Sequence, residues 1–144
     1  MNKMSAAILP SEPEVTPRWR QEVRGHADIR FANSDGITRL AHLAHHDPLR
    51  VLFSKPAQGD VAQATLVNMS GGLIAGDRLD IGFCVDENAA ALCVASAAEK
   101  VYRSTGDMSH ITVDLYTKQN SWAEWLPQET IFFNGARLRR VTRL

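Results

Sequence analysis

The sequence predicts an all-β fold, and three observations carry that prediction. Apolar residues alternate with polar ones along several stretches, as in Leu79, Ile81, Phe83 and Val85 against Asp80, Gly82, Cys84 and Asp86. Turn dipeptides punctuate the chain at Asp35-Gly36, Gly59-Asp60, Gly76-Asp77, Gly106-Asp107 and Asn134-Gly135. Apolar residues at helical spacing are hard to find. Short strands broken by frequent turns are the pattern of a β domain.

Residues 1–18 carry Pro10, Pro13 and Pro17 with Glu12 and Glu14, and are expected to be a disordered leader. The β domain is then expected over 19–144. Its strands are predicted at 19–31, 37–45, 49–53, 62–68, 78–85, 90–95, 110–117, 123–125, 130–133 and 137–143. Alanine is a strong helix former, and 89–98 is rich in it. This segment is nonetheless read as a strand, because it follows the turn Asp86-Glu87-Asn88 directly after another strand.

That turn suggests a hairpin. Folding about Asn88/Ala89 sets Phe83 opposite Val94 and Val85 opposite Leu92 on one face. It sets Cys84 opposite Cys93 on the other, within reach of sulfur contact. The expectation is a reduced, structural pair, because a redox or metal role needs more ligands than two thiols.

Composition narrows the function classes. The chain has 144 residues, 44% hydrophobic and 22% charged, enough for one domain with a core. Sixteen Lys plus Arg balance sixteen Asp plus Glu, so bulk charge favours neither nucleic acid nor an anionic membrane. No apolar stretch has the length of a membrane span, and no basic-then-apolar secretory pattern opens the chain. Two cysteines make no disulfide framework, so a cytoplasmic protein with reduced thiols is expected.

Two dense stretches stand out. Gly-Gly-Leu-Ile-Ala-Gly-Asp (71–77) has the glycine spacing of a phosphate loop. Asp77 and Arg78 follow where Lys and Ser or Thr would hold phosphate and magnesium, which argues against a nucleotide. Glycine here implies positive φ or close approach of another group. The second stretch, 122–137, holds Glu124 and Glu129 on either side of Leu126-Pro127-Gln128. Paired carboxylates serve acid–base chemistry, hold a divalent ion, or solvate a turn. His42, His45 and His46 are candidate metal ligands, but on a strand His42 and His45 point to opposite faces. Arg137, Arg139 and Arg143 share parity near the end of the sequence and could line a partner surface. No enzyme signature is present. A small β-sandwich metal-dependent hydrolase, using Asp77, Glu124, Glu129 and the histidines, is the alternative reading.

The order of the motifs adds more. Gly36-Ile-Thr-Arg-Leu40, Pro48-Leu-Arg-Val51, Gly71 to Leu79, Lys100-Val-Tyr-Arg-Ser104, Glu124 to Ile131 and Asn134-Gly-Ala-Arg137 follow one another. In that order they resemble the UreD (UreH) family of urease accessory proteins, over residues 19–144. The resemblance implies an elongated, sandwich-like or helical stack of strands with little helix. It implies a scaffold rather than an enzyme, one that binds apo-urease, assembles with UreF and UreG partners, and offers nickel a passage toward the urease active site. No tightly bound cofactor is implied, only transient nickel. Asp77, Glu124 and Glu129 match motif carboxylates and are the candidate nickel-passage residues; exchanging Asp77 for Ala is expected to lower nickel incorporation without unfolding the chain. Gly71, Gly72, Gly76, Lys100, Tyr102, Arg103, Trp125, Pro127, Gln128 and Arg137 match motif positions with structural or partner-binding roles.

The chain departs from the family pattern at three places. Asn68-Met69-Ser70 stands where His-Pro-Pro is usual, Glu99 where a small or hydroxylated residue is usual, and Asn134 where Asp is common. Family members are longer, so the chain is expected to be the N-terminal half of the fold, truncated, with unpaired strand edges.

Overall fold

The structure, a computed structural model, describes residues 22–55, 57 and 59–144. The expected leader and the first residues of the expected first strand lie outside them. Among the described residues there are eleven strands and no helix. In chain order these are β1 (Arg24–Ser34), β2 (Ile37–His46), β3 (Leu49–Phe53), β4 (Ala62–Asn68), β5 (Arg78–Val85) and β6 (Ala90–Ala95). They continue as β7 (Glu99–Val101), β8 (Ser109–Thr117), β9 (Trp122–Leu126), β10 (Thr130–Phe132) and β11 (Leu138–Arg143). The all-β prediction holds, and nine of the ten predicted strands fall within one residue of their bounds; β1 runs three residues beyond the predicted 31, and β7 has no predicted counterpart.

Sequence neighbours are often not sheet neighbours. One wall is ordered β11-β8-β5-β1-β2, a second β3-β4-β6-β9, and a third, small wall pairs β7 with β10. Leu73 extends the third wall through a parallel bridge to Val101. From β4 onward the chain therefore winds as a coil. Each turn visits the second wall, the third and then the first: β4, Leu73, β5; then β6, β7, β8; then β9, β10, β11. Every strand pairing between successive turns is parallel, and only the isolated bridge between Arg103 and Ala136 is antiparallel among the described residues. A turn takes about 30 residues, within the usual range for stacked-repeat architectures. Antiparallel pairs β1–β2 and β3–β4 close the other end.

Alternation decides what faces inward. Ala27, Ile29 and Phe31 of β1, Leu79, Ile81, Phe83 and Val85 of β5, and Ile111 and Val113 of β8 are buried on the inner face of the first wall. Phe83 packs edge-to-face on Phe31 at 6.3 Å. Burying one such side chain contributes about 2–3 kcal/mol.

The predicted hairpin is not there. Strand β5 lies in the first wall and β6 in the second, so Cys84 and Cys93 sit on non-adjacent strands. The predicted turn exists: Ala89 N–H donates to the Asp86 carbonyl (3.2 Å), and Asn88 has φ +56°. It carries the chain from one wall to another, because its backbone bonds to neighbouring turns of the coil. Asp86 N–H donates to the Phe31 carbonyl (2.9 Å) and Asn88 N–H to the Gln119 carbonyl (3.3 Å). The facing of β6 is correspondingly opposite to the prediction. Small Ala91 and Cys93 are buried, and Leu92 and Val94 are half-exposed. Burial pushes the Cys93 thiol up to about 12, which makes it inert.

Candidate functional site

The glycine stretch forms the corner between the third and first walls. Asp77 is buried there, at 1% exposure. One carboxylate oxygen accepts Val23 N–H (3.1 Å) and the other accepts Ile74 N–H (2.9 Å). The Asp77 carbonyl accepts His110 N–H (2.8 Å), and Arg78 N–H donates to the Val23 carbonyl (2.8 Å). Buried Ser109, at the equivalent corner one turn later, donates its hydroxyl to the Ile74 carbonyl (2.6 Å). Asp77 thus ties its own turn to the chain entering β1, beside backbone bonds that reach the next turn. Buried N–H groups need such acceptors.

Glycine is required at Gly72 for two reasons. Its φ is +141°, and a Cβ there would lie 2.6 Å from the Tyr102 ring and 2.8 Å from the Lys100 carbonyl oxygen. That closeness lets Leu73 N–H reach the Lys100 carbonyl (2.7 Å) and Tyr102 N–H reach the Leu73 carbonyl (2.9 Å). The same corner one turn on repeats the arrangement. Tyr102 stacks on Phe133 at 4.9 Å. Arg103 bridges Ala136, Ser104 N–H donates to the Gly135 carbonyl (3.0 Å), and Arg137 Nη1 donates to the Gly106 carbonyl (3.1 Å).

Inside the coil lies a cavity of about 330 Å³. Motif residues wall it: Gly71, Gly72, Lys100, Trp125, Pro127 and Gln128. So do Glu99 and Arg140. Asn68 Nδ2 donates to both Glu99 carboxylate oxygens, at 3.1 Å each, and Asn68 Oδ1 accepts Ser70 N–H (3.0 Å) and the Ser70 hydroxyl (2.7 Å). Burial raises the Glu99 carboxyl above its ordinary value, against the opposing pull of Asn68 and the Arg140 charge. Two of the departures noted in the sequence therefore touch each other. The period-two pattern could not pair them, because contact between β4 and β7 depends on the coil.

The three candidate carboxylates do not converge. Asp77 is committed to backbone N–H groups. Glu124 is on β9 beside outward Leu92, on the face opposite Ala123 and Trp125, which pack against the core. Glu129 is exposed at the corner before β10, where its carbonyl accepts Glu99 N–H (2.9 Å). His42 and His46 fall on the outer side of β2, opposite Arg30 and His26. His45 faces the other way and accepts Val51 N–H through Nδ1 (3.3 Å). Among the described residues no three His, Cys, Asp or Glu side chains are grouped to hold a metal ion.

A family model described as UreD urease accessory protein matches residues 23–144. The chain belongs to the UreD family. It is 41% identical over 140 residues to the urease accessory protein UreD of Magnetococcus marinus, covering 97% of this chain and 47% of that protein. The UreD protein of Pseudomonas entomophila is 35% identical over 133 residues, covering 92% of this chain and 47% of that relative. That of Nitrosospira multiformis is 40% identical over 117 residues, covering 81% and 42%. The chain spans about half the length of the curated relatives it matches. These relatives, like the family, are named as urease accessory proteins. Of the UreD motif residues, Gly71, Gly72, Lys100, Trp125, Pro127 and Gln128 wall the cavity, whereas Gly36 to Leu40 lie at the β1–β2 turn and along β2. No helix among the described residues is long and apolar enough to cross a membrane.

Proposed function

We propose that this chain acts in the cytoplasm as a non-enzymatic scaffold in urease maturation. It assembles with apo-urease and accessory partners of the UreF and UreG kind, and nickel passes through the cavity inside the coil. The observation that carries this reading is the cavity itself, walled by family motif residues and holding one carboxylate. A divalent ion in transit needs oxygen or nitrogen donors that hold it weakly. Glu99 offers a carboxylate and Gln128 an amide oxygen. Arg140 lines the same space and, by repulsion, keeps a cation from settling there. Asp77 supports the passage indirectly, by fixing the corner that carries Gly71 and Gly72. Glu124 and Glu129 stand outside the cavity lining, where they are available to partners.

The test is urease activation in cells whose own UreD protein has been deleted, with this chain supplied and the nickel content of purified urease measured. Glu99→Gln removes the charge, and Ala98→Trp fills the cavity. Both are expected to lower nickel per urease while this chain is still recovered in complex with urease. Full nickel loading by both variants would sink the passage. Failure of the unmodified chain to associate with urease would sink the scaffold reading.

A further inference from the structure

We infer that the outer side of the first wall carries a docking site for an acidic segment of a partner protein, built from a row of three arginine side chains with one histidine among them. Register places Arg24 beside Arg78, Arg78 beside His110, and His110 beside Arg139. The four lie in one line across β1, β5, β8 and β11. The three arginines are exposed, and residues flanking the row on β1, β5 and β8 face inward. Strands lie about 4.8 Å apart, so the row spans about 14 Å.

Like charges directly opposite one another on a sheet are destabilising. Elsewhere on this wall several cations meet carboxylates, although Arg39 on β2 makes no ion pair among the described residues. Arg143 holds Asp114 through Nε and Nη2, Arg30 and Lys118 hold Asp86 at 2.7 and 2.8 Å, and His42 lies 3.8 Å from Asp28. The row differs. Arg24 has a loose partner in Glu22 at 3.6 Å, whereas no ion pair to Arg78 or Arg139 is present among the described residues. His110 Nδ1 is buried and has no hydrogen-bond partner. Arg137, two residues before Arg139 in sequence, lines an open groove with Arg103, Ser104 and Gly106. The exposed acidic residues nearby in sequence are Glu22, Asp80 and Asp107, three against five arginines; Asp77, next to Arg78, is buried on the inner side.

The occupant that fits is a short extended run of Asp or Glu. Guanidinium groups take carboxylates in paired hydrogen bonds. Four or five extended residues cover about 14 Å. The balanced net charge of the chain and the shortness of the row speak against nucleic acid, which binds through many phosphate contacts.

The probe is a labelled, end-blocked peptide of alternating Glu and Gly, titrated into the full chain by fluorescence anisotropy. Arg78→Glu and Arg139→Glu are each expected to weaken binding about tenfold or more, and added salt to weaken it further. Arg39→Glu, exposed on β2 and outside the row, is the control and should bind as the unmodified chain does. Circular dichroism melts check that each variant is folded; if either row variant unfolds, Arg78→Gln and Arg139→Gln replace it with the same expectation at smaller size. Equal binding by row and control variants would overturn the inference. Tighter binding of an eight-nucleotide oligothymidylate, lost in the same variants, would overturn it in favour of nucleic acid.

Discussion

Asp77 and Glu99 are two carboxylates on the inner side of the same coil, and their surroundings differ in kind. Asp77 has a backbone N–H on each oxygen and sits at 1% exposure. Glu99 has one side-chain amide straddling both oxygens and an open cavity beside it. Asp77 closes the glycine motif and holds the chain path. Glu99 departs from the family pattern and faces space. The motif carboxylate is held by backbone N–H groups, and the unusual one faces open space. The largest expected consequence falls on Asp77. Exchange for Ala leaves the Val23 and Ile74 N–H groups without acceptors, at a cost of about 3–5 kcal/mol in unfolding free energy. Asp77→Asn keeps one acceptor and should cost roughly half. Denaturant titration of both variants measures this, and a loss below about 1 kcal/mol for Ala would erase the contrast with Glu99.

The next effect separates two adjacent glycines. Gly72→Ala puts a Cβ into the Lys100 carbonyl and the Tyr102 ring at a strained φ of +141°. The expected cost is about 2–4 kcal/mol. Gly71 has φ +76°, and a Cβ added there would meet nothing within 4 Å, so Gly71→Ala faces only left-handed strain. Its cost should be about 1 kcal/mol. Thermal melts of the pair test whether close packing, rather than backbone freedom alone, explains the double glycine.

Much of the fold was legible in the sequence because alternation is a local property. The inward faces of β5 and β8 follow from Leu79 to Val85 and Ile111 to Leu115 without reference to any other strand. What alternation cannot report is which strand lies alongside. Asp86-Glu87-Asn88 reads as a hairpin turn and is a corner between walls, since both begin with a strand, a positive φ and another strand. Short β7 escaped prediction because Glu-Lys-Val shows too few residues for a period. The site was legible in part. Gly72, Lys100, Trp125 and Gln128 share the cavity wall, a grouping that their order along the chain could not report. Glu124 could not be placed, because a strand alone does not say which of its faces is inside. Burial of Ala123 and Trp125 decides that, and it is a property of β6 and β9 stacked together.

A smaller effect separates Glu99 from the corner carboxylate Asp86, and its sign differs between them. Burial raises the folded-state Glu99 carboxyl above the ordinary 4.5. Stability from the protonated form is then fully present below that value and is lost as pH rises through the raised one. Asp86 is held below its ordinary 3.8 by hydrogen bonds from Arg30 and Lys118. Its contribution is present above 3.8 and is lost as pH falls through the lowered value. Glu99→Gln should therefore match the unmodified chain near pH 4 and become the more stable of the two as pH rises toward 7, by no more than about 1 kcal/mol. Asp86→Asn should do the reverse, less stable at pH 7 and converging below the ordinary carboxylate range, by about 1 kcal/mol or less for a solvent-screened pair. Urea titrations at pH 4 and pH 7 in metal-free buffer read both differences. A pH-independent difference between Glu99→Gln and the unmodified chain would mean that the cavity treats Glu99 as solvent does, and would remove the contrast with Asp86.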